Sequence, residues 1–328
     1  MCLAVFLIAG CSQDRYRLFL PEIKSEELKF APEFYAGKPD LPSPAMSESG
    51  RELVLVRTSE NQYTWFDATV ENGDPFNYKD QQYGKGNQLM ADAADFPGLS
   101  RTGFHADREL VETKTITGRS VSQITVDGRP WGSSGVGFMT EDETIMSVIW
   151  ADNQTAGRLG LSHPDLARPL FHLWNLSREM GHYNADRAKD HKLHLNAMIY
   201  HGNEVQVKIT GSRGWQESIF DDEILGSGHF EMWREPDEEE KAFLKQHYGQ
   251  LPQEQYDTLH TMLFHIHTGE MVFFYINRYG FYEGHTEYRA DPVSIALVFG
   301  LKSIESVHES IGGDLYSYFM TPFTKNPE

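Results

Sequence analysis

Leu259–Leu301 reads LHTMLFHIHTGEMVFFYINRYGFYEGHTEYRADPVSIALVFGL. Two almost wholly apolar segments, Met271–Ile276 and Val293–Phe299, flank a polar loop that runs from Gly280 to Asp291. Asp291-Pro292 marks a helix start. Asp is a strong cap, and proline suits the first helical position because its missing N–H would have had no partner there. The residues after it are apolar on every side except Ser294, the pattern of a helix buried all round. Upstream, Leu259, Met262, Leu263 and Ile266 keep helical spacing, which predicts a helix that stops at Gly269.

The loop between the apolar segments gathers acid, base and hydrogen-bonding groups beside elements that read as buried. It arrives at a helix N-terminus, where free N–H groups and the helix dipole favour anions. Glu283 and Glu287 are candidate general acid or base, and His285 exchanges protons near neutral pH. Arg289 has the fork geometry for a carboxylate or phosphate. Tyr282 and Tyr288 are candidate ligand contacts. The same residues also fit a structural loop in which Arg289 pairs with Glu283 or Glu287 and Asp291 only caps. Both readings stay open at the level of sequence.

His265-Ile-His267, with Glu270 and His285 nearby, invites a metal. On a helix of about 100° per residue the two imidazoles diverge, so no metal is expected here.

Working outward, Leu193–Tyr200 and Glu204–Thr210 alternate around His201-Gly-Asn203 and predict a hairpin. Trp215–Gly226 places Asp221, Asp222 and Glu223 between apolar pairs. Carboxylates this close raise one another's pKa, as catalytic acids require, and a solvated turn explains them equally well. His229–Trp233 reads as a strand, and Glu235–Glu240 as an acidic helix start. Nearer the N-terminus, Leu53–Thr58 with Gln62–Phe66 suggests another hairpin, and Val111–Thr117 and Val121–Val126 two more strands. Gly128–Gly137 is no P-loop, because no Lys follows its glycines. Thr140–Glu143 is a capping box, and Ser162–Asp165 opens a helix carrying His163 and His172, read as surface or satisfied core groups. Aromatics near Trp65 fit a sugar-stacking platform or ordinary core. The expected fold is α+β: mostly antiparallel β-structure in the N-terminal and middle parts, then a helix-rich C-terminal region.

Composition bounds the function. With 328 residues and 12% aromatics the chain supports a sizeable core. A net charge of −19 argues against nucleic acid or anionic lipid as the main partner. The only cysteines are Cys2 and Cys11, so the body of the chain has no thiol chemistry.

Met1–Gly10 is an apolar run too short to span a membrane, followed by Cys11. Ile8-Ala9-Gly10-Cys11 resembles the lipobox of a bacterial lipoprotein, although no Lys or Arg precedes the apolar run. The resemblance implies a signal peptide over residues 1–10 and lipidation at Cys11. It also implies a cell-envelope location with the lipid anchor as the sole membrane contact. Ser12 after the cysteine implies the outer membrane. The proline-rich stretch that follows reads as a tether over 11–52, leaving one domain over 53–328.

Two functions fit: a carboxylate-dependent hydrolase or lyase acting on an extracellular glycan or related polymer, and a non-catalytic glycan-binding surface lipoprotein. Nucleotide fingerprints and a G-x-S-x-G elbow are missing, and no cofactor is expected. The partner is a small-molecule or polymer ligand.

Overall fold

The computed structural model describes residues 35–70, 143, 145–179, 196–217, 225–286 and 288–321. The leader with Cys11, the expected strands at 111–117 and 121–126, the 128–137 glycine stretch, Asp221–Glu223 and Glu287 lie outside the described residues.

The chain runs β1 (Tyr35–Ala36), β2 (Ala45–Met46), β3 (Glu52–Ser59), β4 (Gln62–Asp67), α1 (Ile145–Leu159) and α2 (His163–Glu179). It continues through β5 (Ala197–Tyr200), β6 (Asn203–Glu217), β7 (Leu225–Trp233), α3 (Glu238–Tyr248) and α4 (Gln253–Phe264). Then come β8 (His265–Gly269), α5 (Glu270–Tyr279), α6 (Pro292–Val298), α7 (Ile304–Ser310) and α8 (Leu315–Met320). The strands form one antiparallel sheet ordered β1-β4-β3-β5-β6-β7-β8, with β2 also on β3. The fold is α+β, with strands in the N-terminal and middle parts and helices concentrated in the C-terminal part.

Both expected hairpins form. In the second, Tyr200 faces Asn203 and the two residues between them, His201 and Gly202, take φ 45 and φ 82. Positive φ at both positions matches the turn type whose twist suits flanking strands.

The register sorts the side chains by face. Val54, Val56, Met198, Tyr200, Val205, Val207, Phe230, Met232 and Ile266 point to one side and are buried there. The apolar stripes of α2 and α5 pack on that side, with the Phe273 ring 4.9 Å from Phe230. Each such aromatic or aliphatic side chain taken from water contributes roughly 1.5–3 kcal/mol. Glu52 of β3 crosses to α2, where it pairs with Arg168 and, at 2.5 Å, with His172 Nε2. His172 is therefore a satisfied core group.

On the other face, Leu55, Tyr63 and Ile199 make a small second cluster under Tyr35 and Trp65. His229, Trp233, His265 and His267 share that outer face farther along.

Two expectations are corrected. The helix through Leu259 ends at Phe264, and His265–Gly269 is an edge strand paired to β7, Trp233 opposite His265 and Met232 opposite Ile266. Ile266 and Thr268 go inward while the histidines go outward, a period of two. Ile266 fits helical and strand spacing alike, and short apolar runs do not separate the two. The imidazoles thus share a face rather than diverging. Part of the stretch expected as a tether is also folded, because β1 and β2 belong to the sheet. Ser43 Oγ locks this segment in, donating to Ile199 O at 2.7 Å and accepting from Leu55 N at 2.9 Å.

Candidate active site

The loop leaves α5 at Gly280, whose left-handed backbone (φ 63) returns its N–H to the Tyr275 and Ile276 carbonyls. A Cβ at this position would stand 2.6 Å from His163 Nε2. Glycine thus lets the first residue of α2 slide beneath the loop. His163 Nδ1 is 2.8 Å from the Tyr282 hydroxyl, and Nε2 is 2.6 Å from Asn153 Oδ1. Burial lowers its pKa to about 4, so the ring is neutral, accepting from Tyr282 and donating to Asn153. Tyr282, read from sequence as a ligand contact, is 0% exposed and serves this chain of bonds instead.

Arg289 is a brace. Its guanidinium forks onto Asp152 of α1, Nη2 to Oδ1 at 2.5 Å and Nη1 to Oδ2 at 3.2 Å. Nε reaches Asp291 Oδ2 at 3.0 Å, and Nη1 also donates to the Glu283 carbonyl. Asp291 in turn caps α6 through Val293 N and accepts from the Tyr318 hydroxyl. The sequence expectation of a fork turned towards a ligand is corrected, because the fork ends on Asp152 and Asp291. Burial pushes Asp152 up to about 7, against the opposing pull of Arg289. Asp152 was missed from sequence. Yet it sits in line with Val148, Ile149, Ala156 and Leu159, so an acid inside an apolar helical stripe was its signal.

The brace holds Glu283 in an unusual state. Its backbone is left-handed (φ 65), a conformation that costs a non-glycine residue about 1–2 kcal/mol. The residue is 5% exposed and its carboxyl accepts from Thr286 Oγ1 at 3.1 Å. Burial raises its pKa to about 8, outweighing the Thr286 bond and the Arg289 charge. At neutral pH Glu283 is a carboxylic acid with a proton to give.

His285 sits two residues on and meets Glu143, which precedes α1. Glu143 Oε1 lies 2.5 Å from His285 Nδ1, and its carboxylate also accepts the His285 main-chain N–H at 3.0 Å and 3.2 Å. The Glu143 side chain is 0% exposed, whereas that of His285 is 25% exposed. A buried carboxylate that holds Nδ1–H fixes the tautomer and leaves base chemistry to Nε2. Sequence reading placed Glu143 in a capping box and missed this role.

No family model, curated protein or solved structure matches this chain. The site's own chemistry therefore carries the functional argument.

Of the remaining candidates, Tyr288 is half-buried against His267 and His229, with ring centroids 4.8 Å and 5.6 Å away. Trp65 stands on β4 and donates to the Tyr35 hydroxyl at 3.3 Å. Strands β3, β5, β6 and β7 separate it from β8, on the order of 20 Å at the usual strand spacing. The loop thus unites Glu283, His285 and Arg289 with Glu143 and Asp152, and Trp65 belongs elsewhere. Among the described residues no group of three His, Cys, Asp or Glu is placed to hold a metal.

Proposed function

We propose that the protein is a cell-envelope lipoprotein anchored through Cys11, and that it acts by general acid–base catalysis. The reaction is hydrolysis or elimination on an extracellular glycan or related polymer. The observation that carries this reading is the buried Glu143 carboxylate on Nδ1 of the partly exposed His285. Such a carboxylate stabilises the imidazolium that forms when Nε2 takes a proton. Glu283, protonated near neutral pH on the same loop, supplies the matching acid. An acid that still holds its proton, beside an imidazole oriented to take one, is what splitting a glycosidic bond requires, whether the base activates water or removes a carbon-bound proton.

The test is product release from a panel of neutral and acidic polysaccharides by the purified protein. Reducing ends without ultraviolet absorbance mark hydrolysis, and unsaturated ends mark elimination. His285→Ala is expected to abolish either, and turnover unchanged by this substitution would overturn the reading.

A second reading rests on Trp65. With Tyr35 it covers the buried Tyr63 on the outer face, with four strands between it and β8. That separation favours non-catalytic glycan binding, since stacking on a sugar needs no acid or base. Loss of polysaccharide retention in Trp65→Ala, with His285→Ala retained normally and no product formed, would establish it.

A further inference from the structure

Between α4 and the outer face of β7 and β8 lies a groove of about 320 Å³, lined by Glu231, Trp233, Glu235, His260 and His265 over a floor of Arg234 and Phe264. We propose that this groove binds the guanidinium group of an arginine carried by a peptide segment.

The groove has Trp233 on one wall and the carboxyl-bearing Glu231 and Glu235 in its lining, and its only lining guanidinium is already bound. Trp233 is half-buried, held edge-on by the His265 ring at 6.0 Å. Glu235 is exposed and makes no ion pair among the described residues, while Glu231 shares only the exposed Lys208, at 3.1 Å. Arg234 is spent. Its five N–H groups go to Leu297 O from Nε and Nη2, to both Glu240 oxygens at 2.6 Å, and to Glu235 O. Its guanidinium carbon also sits 4.8 Å from the centre of the Phe264 ring, so its charge is neutralised within the wall. A ligand here meets the Trp233 side chain and carboxylates, which suits a flat cation.

A planar guanidinium stacks on Trp and forks onto a carboxylate, whereas an ammonium does neither as well. A metal ion is the poorer fit, because no three ligating side chains among the described residues are gathered to hold one. The chain's net charge of −19 draws cations towards this surface. Thr261 also lines a second recess along α4 with Glu254 and Asp257. That continuation suits a peptide bearing further basic residues better than an isolated amine.

The experiment is calorimetric titration of the full chain with N-acetyl-arginine amide, N-acetyl-lysine amide, a capped peptide containing two arginines, and zinc chloride. The expected result has the peptide binding at least 10-fold tighter than the arginine amide, and the arginine amide at least 5-fold tighter than the lysine amide. Glu235→Gln, an exposed substitution that leaves the fold intact, and Trp233→Leu each weaken both arginine ligands at least 10-fold. Asp257→Asn weakens the peptide alone. Equal binding by arginine and lysine amides, or binding unchanged in Glu235→Gln, would show diffuse attraction to an acidic surface and overturn the proposal. So would absence of binding, or zinc binding lost in His265→Ala without any arginine binding.

Discussion

Glu143 and His285 stand 142 positions apart in the chain, and one buried carboxylate takes both the main-chain N–H and the ring Nδ1 of His285. This contact joins the segment before α1 to the loop between α5 and α6. It gives a partly exposed imidazole a fixed orientation, and positioning residues of this kind act through the group they hold.

If His285 is the base, removing it costs more than removing its support. His285→Ala is expected to lower kcat on the order of 10²–10⁴-fold, the usual worth of general acid–base catalysis. Glu143→Gln keeps an acceptor for the main-chain N–H but loses the charge, and should lower kcat while leaving KM near wild type. Steady-state kinetics on any polymer identified as substrate separates the two.

Arg289→Ala is expected to destabilise the fold by about 3–5 kcal/mol, because it leaves the buried Asp152 carboxylate without its fork. An exposed pair would cost only about 0–1 kcal/mol. Urea denaturation measures the difference, and a loss below about 1 kcal/mol would remove Arg289 from the role of brace.

Gly280→Ala meets two penalties at one position. The left-handed backbone disfavours any Cβ, and that Cβ would lie 2.6 Å from His163 Nε2. Together these should cost roughly 2–4 kcal/mol. Gly280→Ala combined with His163→Ala removes the collision and should recover part of the loss in thermal denaturation.

Stability should depend on pH in two opposed limbs. Glu283 has its folded pKa raised from 4.5 to about 8, so its contribution is whole below about pH 4.5 and lost as pH rises through 8. Asp152, raised to about 7, acts in the same direction. His163 is lowered from 6.5 to about 4, so its contribution is present above pH 6.5 and lost as pH falls through 4. At about 1.4 kcal/mol per pKa unit each of these three groups contributes a few kcal/mol. Denaturation at a series of pH values should show Glu283→Gln flattening the alkaline limb and His163→Gln the acid one.

Where local pattern and packing agree, the sequence was legible. Asp291-Pro292 before an all-apolar run defined a helix start that the structure reproduces to the capping bond on Val293. The alternation of Val205, Val207 and Ile209 gave β6. Where two periods compete over five residues, as at His265–Gly269, the ladder to β7 decided, and a lone sequence does not display its partner strand. The polar density of the loop was legible, but its partners were not. Glu143 and Asp152 reach it from 142 and 137 positions away, a separation that no spacing rule covers. Arg289 was misjudged for the same reason, its fork being filled from a distant helix.

The most direct test of the acid–base account is the tautomer of His285, read from its two ring ¹⁵N shifts and their long-range couplings in the wild type and in Glu143→Gln at a pH where the ring is neutral. The account predicts a proton on Nδ1 with Nε2 as the bare nitrogen, and loss of that preference when the Glu143 charge is removed. A wild-type proton on Nε2, or a tautomer unchanged by Glu143→Gln, would contradict it.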